Sequence, residues 1–205
     1  MAGSPDDSQS AGLAAAADPS VVLAERAASG DELAVGRLLR LVAPRVRAVV
    51  RAVMGAQHPD CDDAVQLALM GFVKALPAFR GECDPAGYAS TIAVRTAVAA
   101  RRRALVHEGR RQEPPEMASD EESPSGMAEA GRRKELLREL LGAIPIEQGE
   151  ALVMRIVLGW SLDEIAAYGG VPLNTVRSRL RLAKEAMRRR IESDDRLLEE
   201  LQGEP

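Results

Sequence analysis

Between Trp160 and Ile191 the apolar residues recur at helical spacing in two successive stretches separated by a glycine pair. The first opens at Ser161-Leu162-Asp163-Glu164, where a serine followed three residues later by a glutamate predicts reciprocal capping of a helix start. Its inner face would carry Leu162, Ile165 and Ala166, and Gly169-Gly170 predicts its end at Tyr168, since glycine tolerates the reversal that a helix-turn-helix needs. Pro172 presets the backbone angle for the second helix. At about 100° per residue, Leu173, Leu180, Ala183, Met187 and Ile191 gather around Val176, while Asn174, Arg177, Ser178, Arg181 and Arg188 fall on the opposite side. A helix with one apolar and one cationic face, docked on a capped partner helix, predicts a major-groove DNA reader.

The same periodicity predicts helices over residues 33–54, 64–76 and 85–103, separated by Gly55-Ala56-Gln57-His58-Pro59-Asp60 and by Pro77-Ala78-Phe79-Arg80-Gly81. Val65, Leu69, Phe72 and Leu76 form the clearest core stripe of this first bundle. Ahead of the reader, Leu136, Leu137, Leu140, Leu141 and Ile144 form a stripe that stops at Pro145, and residues 151–158 form another that stops at Gly159. Residues 112–131 are rich in Glu, Pro, Ser and Gly, and offer too little apolar surface to offset the entropy of ordering them. No run alternates β-branched residues between turn signals. The expected fold is all-α: two small helical domains joined by a flexible linker, the C-terminal one containing a helix-turn-helix. The expected boundaries are an N-terminal arm (1–19), a first module (20–111), the acidic linker (112–131), a second module (132–192) and an acidic tail (193–205).

Charge first points away from nucleic acid, because the 205 residues carry a formal net charge of −4. Its distribution changes that. Acid collects in the N-terminal arm, in residues 113–129 and in residues 192–204, whereas base collects in residues 95–111 and 177–190. Contact with phosphate depends on the local field, because salt screens charges beyond about 8 Å. Cys61 and Cys83 do not make a disulfide framework, and His58 with Cys61 lacks the remaining ligands of a tetrahedral metal site. Asp6 and Asp7 stand where a secretory signal would carry positive charge, and the apolar run at Leu13 is too short to span a membrane. Those features predict a cytoplasmic protein with no direct membrane insertion.

Three runs then line up in order: Asp63-Ala64-Val65-Gln66, Phe79-Arg80-Gly81-Glu82, and Val171-Pro172-Leu173-Asn174-Thr175-Val176-Arg177-Ser178-Arg179-Leu180. Together with Ile144-Pro145 and Leu162-Asp163-Glu164-Ile165-Ala166, the chain resembles a bacterial RNA polymerase sigma factor of the extracytoplasmic-function type over about residues 22–192. The resemblance implies that the first module holds core RNA polymerase and reads the minus-10 promoter element, while the second reads the minus-35 element. Asp63 and Gln66 would lie on the clamp helices of the largest polymerase subunit, while Leu67, Ala68 and Leu69 replace the more polar run usual in the family, and Leu67 with Met70 is expected to form a partly exposed apolar patch for the polymerase or for an inhibitory partner. Arg80, Tyr88, Arg95, Arg101, Arg102 and Arg103 would follow and stabilise the separated strand. Tyr88 stands where the family commonly has tryptophan, and Arg95 where it commonly has asparagine, so a different minus-10 preference is expected. In the reader, Arg177 and Arg181 would contact bases, Asn174 and Ser178 would support them, and Thr175, Lys184 and Arg188 would meet the backbone. An inhibitory anti-sigma partner is a further implication.

No phosphate-cradling glycine loop, metal set or nucleophile with a base stands in the sequence, so no enzyme activity and no cofactor are expected. Two alternatives stay open. An ordinary helix-turn-helix regulator would bind a palindromic operator as a dimer. A sigma-like adaptor would bind polymerase without directing initiation.

Overall fold

The computed structural model describes residues 18–81, 83–108 and 125–194. These form eight α-helices: α1 (Pro19–Ala28), α2 (Glu32–Met54), α3 (Cys61–Ala75), α4 (Pro85–Glu108), α5 (Ser125–Ala143), α6 (Ile146–Ile156), α7 (Leu162–Gly169) and α8 (Leu173–Glu192). A 3-10 turn at Leu76–Ala78 follows α3. Among the described residues there is no strand. Most of the expected N-terminal arm and acidic tail, and residues 112–124 of the linker, lie outside the described residues.

Helix starts follow local chemistry. The Asp18 carboxylate accepts from the Ser20 N–H at 2.8 Å, with Pro19 as the first residue of α1. Helix α1 is additional to the helices expected over residues 33–54, 64–76 and 85–103, and Asp18-Pro19 marks its start. Asp31 caps α2 by accepting from the Ala34 N–H at 3.0 Å, and also pairs with Arg26 at 2.6 Å. Asp84 caps α4 twice, accepting from the N–H groups of Ala86 and Gly87 at 3.1 and 3.0 Å. Helix α2 runs through Pro44 without breaking. The proline is exposed, which leaves the Arg40 carbonyl that loses its helical donor on the solvent side.

The centre of the molecule is α4, which packs against α2, α3, α5, α6 and α7. Its buried face is built from Ala89, Ala93, Val94, Ala97 and Val98. These small residues let helices approach on several sides. Its buried hydroxyls are satisfied within the helix: Ser90 Oγ donates to the Ala86 carbonyl at 2.7 Å and Thr91 Oγ1 to the Gly87 carbonyl at 3.3 Å. Against this face α2 places Leu38, Val42, Val46, Val50 and Val53, while α3 supplies Ala64, Ala68 and Phe72. Phe72 is fully buried, so Phe72→Ala would cost about 3–5 kcal/mol.

Two features differ from the sequence expectation. Helix α5 begins at Ser125, inside the span read as linker. The two modules also share one core: Val153, Met154, Trp160, Ile165 and Val176 of the second belong to the same buried cluster as Val94 and Val98 of the first. Two stripes are correspondingly less buried than their spacing suggests. Leu137 is half exposed, and Ile156 and Val157 face solvent at the end of α6.

Candidate nucleic-acid and polymerase interfaces

The reader is α7 and α8. The Ser161 N–H donates to Glu164 Oε2 at 2.7 Å while the Glu164 N–H donates to Ser161 Oγ at 3.2 Å, completing the capping box. Bonding to the Ser161 backbone, and then to its hydroxyl, holds the Glu164 carboxyl below its ordinary value. Helix α7 extends one residue past the expected end, and Gly170 then takes the left-handed conformation at φ 63°. The approach to α7 is tied down by the Arg155 guanidinium, which donates to the Trp160 carbonyl at 2.7 Å. Trp160 stacks on Tyr168 with ring centroids 4.4 Å apart.

Along α8 the two faces separate as expected. Val176 and Ala183 are buried, whereas Asn174, Arg177, Ser178, Arg181, Lys184 and Arg188 are exposed and Thr175 is half-buried. Arg177 Nη1 donates to Asn174 Oδ1 at 3.1 Å, so the amide braces the neighbouring guanidinium. Arg181 pairs with Glu185 at 2.6 Å. Both partners are well exposed, so releasing Arg181 to a base edge costs about 1 kcal/mol or less.

On the first module, Asp63, Gln66, Leu67 and Met70 are all exposed along α3. Their spacing places them on one ridge. Leu67 and Met70 are 50% and 48% exposed, matching the expected apolar patch. The ridge runs between two clefts. One, of about 560 Å³, includes Leu39, Leu69 and Met70 in its lining. The other is lined by Asp63, Leu67, Arg103 and both histidines, His58 and His107.

The minus-10 set does not assemble as a single exposed path. Arg80, Arg102 and Arg103 are exposed. Arg101 is not: it is 6% exposed, its Nη2 meets Glu135 Oε1 at 2.9 Å, and its Nε donates to the Arg138 carbonyl at 3.4 Å. Arg101, expected to follow a separated strand, is packed beneath α5 in this arrangement. Helix α5 covers it. Arg95 is exposed on one side but donates to the Gly169 carbonyl at 3.4 Å, and its Nε lies 3.8 Å from Glu150. Burial pushes the Glu150 carboxyl above its ordinary value, against the opposing pull of Arg95 and Arg179. Tyr88 is half-buried, with its ring 5.5 Å from Phe79 and 6.2 Å from Phe72.

The sequence reading passed over one cationic surface. Arg37, Arg40, Arg45, Arg47 and Arg51 are all exposed on α2. The signal was available, because α2 has no acid after Glu32. Asp62 of α3 reaches Arg47 only at 3.9 Å.

Among the described residues no group of three or more His, Cys, Asp or Glu is placed to hold a metal. His58 Nδ1 instead accepts from the Asp60 N–H at 3.2 Å, and burial pushes the Cys61 thiol upward. No described helix is long and apolar enough to cross a membrane.

The chain matches two families: Sigma-70 region 2 over residues 38–105 and Sigma-70, region 4 over residues 134–187. The chain is 31% identical over 186 residues to the ECF RNA polymerase sigma-E factor of Escherichia coli (strain K12), covering 83% of this chain and 93% of that protein. It is 32% identical over 166 residues to the ECF RNA polymerase sigma factor SigD of Mycobacterium bovis, covering 76% of each. In fold it is similar to CnrH, solved in complex with the cytosolic domain of CnrY, with TM-score 0.53, 22% identity, and 86% of this chain and 99% of that one covered. With a region 2 bundle, a region 4 reader and this likeness along both, the chain belongs to the extracytoplasmic-function sigma factors of bacterial RNA polymerase, which direct transcription initiation at promoters.

Proposed function

We propose that the α3 ridge of Asp63, Gln66, Leu67 and Met70 is the docking surface for the clamp helices of core polymerase, and that α8 reads the minus-35 element. The observation that carries this is the ridge itself: four residues singled out for one partner stand exposed on one helical face, two of them large and apolar. A basic and polar clamp surface would meet the Asp63 carboxylate and the Gln66 amide, and the apolar pair would supply buried area. On α8, Arg177 braced by Asn174, together with Arg181 and Ser178, would meet base edges, while Thr175, Lys184 and Arg188 would meet phosphates. Arg80, Arg102, Arg103 and the half-buried Tyr88 would serve the melted minus-10 strand. Two DNA contacts made from one polymerase surface act as a bivalent grip, so each can be weak alone.

The chain is proposed to act in the cytoplasm as an initiation factor with no reaction of its own, and to be held by an anti-sigma partner when not in use. CnrH, which shares the fold, was solved with a protein partner of its own.

The deciding experiment is co-elution with core polymerase followed by run-off transcription, comparing the parent chain with Leu67→Glu combined with Met70→Glu. The double variant is expected to lose co-elution and run-off product while keeping its affinity for minus-35 duplex. Retained co-elution would refute the ridge assignment. Co-elution of the parent chain without any run-off product would favour the adaptor.

A further inference from the structure

We propose that Glu185 is a positioning residue of the reader: its carboxylate pins the Arg181 guanidinium so that one donor edge faces a guanine, and its charge keeps a backbone phosphate from taking the same place. This rests on the reading of α8 as the minus-35 helix.

Glu185 is a carboxylate on a face otherwise built of cations and neutral polar groups. Helix α8 carries seven arginines and lysines and two acids, Glu185 and, at its last residue, Glu192. At about 100° per residue, Glu185 falls in the same exposed sector as Asn174, Ser178 and Arg181. Helix stability does not account for it. The residue stands far from the N-terminal turn, where the helix dipole would favour an acid. A basic residue four places ahead of an acid is also the weaker order for a helix pair. Glu185 nevertheless turns back to Arg181 at 2.6 Å, although Arg188 and Arg189 stand three and four residues further on. Both partners are well exposed, so the bridge adds little to stability and its effect lies in orientation.

The bond itself says which edge is presented. Arg181 Nη1 donates to Glu185 Oε1, which leaves Nε and Nη2, the parallel donors along one side of the guanidinium, for another acceptor pair. Guanine offers O6 and N7 as such a pair in the major groove. One turn earlier Arg177 is held in the same way, with Nη1 donating to Asn174 Oδ1 at 3.1 Å. The two arginines therefore present matching forks from successive turns. What differs is charge, because the Asn174 amide is neutral and Glu185 is anionic. Guanine O6 and N7 are neutral acceptors that tolerate a carboxylate beside the arginine, whereas a phosphate is repelled by it. Arg181 is thereby directed to a base, and the backbone is left to Lys184 and Arg188.

The test uses the full chain and fluorescein-labelled duplexes that the parent enriches from a randomised pool, each base pair then being substituted in turn, with binding read by anisotropy. Arg181→Ala marks the base pair whose discrimination depends on that arginine. At this base pair Glu185→Ala is expected to lower discrimination by about threefold or more, while affinity for a scrambled duplex rises and its salt dependence steepens by about one contact. Glu185→Gln keeps an oxygen for Nη1 and loses the charge. It should hold discrimination within about twofold of the parent and still raise scrambled-duplex affinity. Unchanged discrimination in Glu185→Ala, or an equal loss in both variants, would overturn the positioning role. Unchanged scrambled-duplex affinity in both would overturn the exclusion of phosphate. A parent chain that enriches no sequence, or an Arg181→Ala chain that discriminates as the parent does, would instead sink the reading of α8, and the proposal with it.

Discussion

Helices α8 and α4 both carry arginines assigned to DNA, and the fold treats the two sets differently. On α8, Arg177, Arg181 and Arg188 stand in solvent, held only by the Asn174 amide or an exposed Glu185. On α4, Arg101 is buried against Glu135 and the half-exposed Arg95 is tied to the reader turn, while Arg102 and Arg103 stand outside without such ties. A helix that packs along one stripe shows its remaining cations to water. A helix in the middle of the molecule, packed by six others, has little face to spare. Residue type therefore says what an arginine can bind, and the number of helices around its own says whether it is free to do so.

Substituting one arginine from each set should give opposite signatures. Arg101→Ala removes a buried side chain and its pairing to Glu135, whose carboxylate is still 56% exposed. Solvent at Glu135 moderates the loss, so a destabilisation of about 1–3 kcal/mol is expected in urea unfolding of the full chain. Arg181→Ala should leave that midpoint within about 0.5 kcal/mol of the parent, because its pair is at the surface. It should instead lower minus-35 duplex affinity by about 1–3 kcal/mol and relax preference at one base position, read by anisotropy with substituted duplexes. The contrast between the helices is broken if Arg181→Ala unfolds the chain and Arg101→Ala does not.

This contrast also explains what could be read before the fold was seen. The reader was legible nearly whole, because a capping box, a glycine turn and a 3.6-residue period are all local: Ser161 to Glu164, Gly170 and the α8 faces fall where expected. The α3 ridge was legible for the same reason, as Asp63, Gln66, Leu67 and Met70 share one exposed side. The burial of Arg101 was not legible because the carboxylate that covers it is 34 residues away, on a helix beginning within the stretch read as linker. Periodicity reports one packing partner, and α4 has several. The shared core escaped notice for a related reason: Val153 and Met154 look like the interior of their own module, and nothing local says that Val94 and Val98 lie beside them. Helix α1, by contrast, was marked by Asp18-Pro19 and simply went unread.

The reader's independence from α4 can be sharpened at its cap. Ser161→Ala removes the hydroxyl that accepts from the Glu164 N–H and leaves the glutamate reaching back alone. A loss of about 1 kcal/mol is expected in urea unfolding, with weaker duplex binding as α7 frays beneath α8. On acidification, the contribution of Glu164 should persist above the ordinary carboxylate value of 4.5 and fade as pH drops through its depressed folded value. A Glu164→Gln chain that keeps the acid-side loss of the parent would show that the box is not the source.

The smallest effect has the opposite sign, and belongs to the α4 side. Burial raises the Glu150 carboxyl above 4.5, so the charged form is the one the folded chain tolerates less well, even with Arg95 and Arg179 nearby. A group raised in this way contributes stability that is full below 4.5 and is lost as pH rises through the folded value. Glu150→Gln keeps the shape and removes the titration. At neutral pH it should leave the chain unchanged or stabilise it by about 0.5 kcal/mol, and the decline as pH rises through the raised folded value should flatten in urea unfolding followed against pH. Destabilisation at neutral pH would mean that the Arg95 pairing outweighs the burial of its partner. Glu150 would then join Glu135 as a true anchor of α4, whereas the raised value marks it as a carboxylate held there by the packing around it.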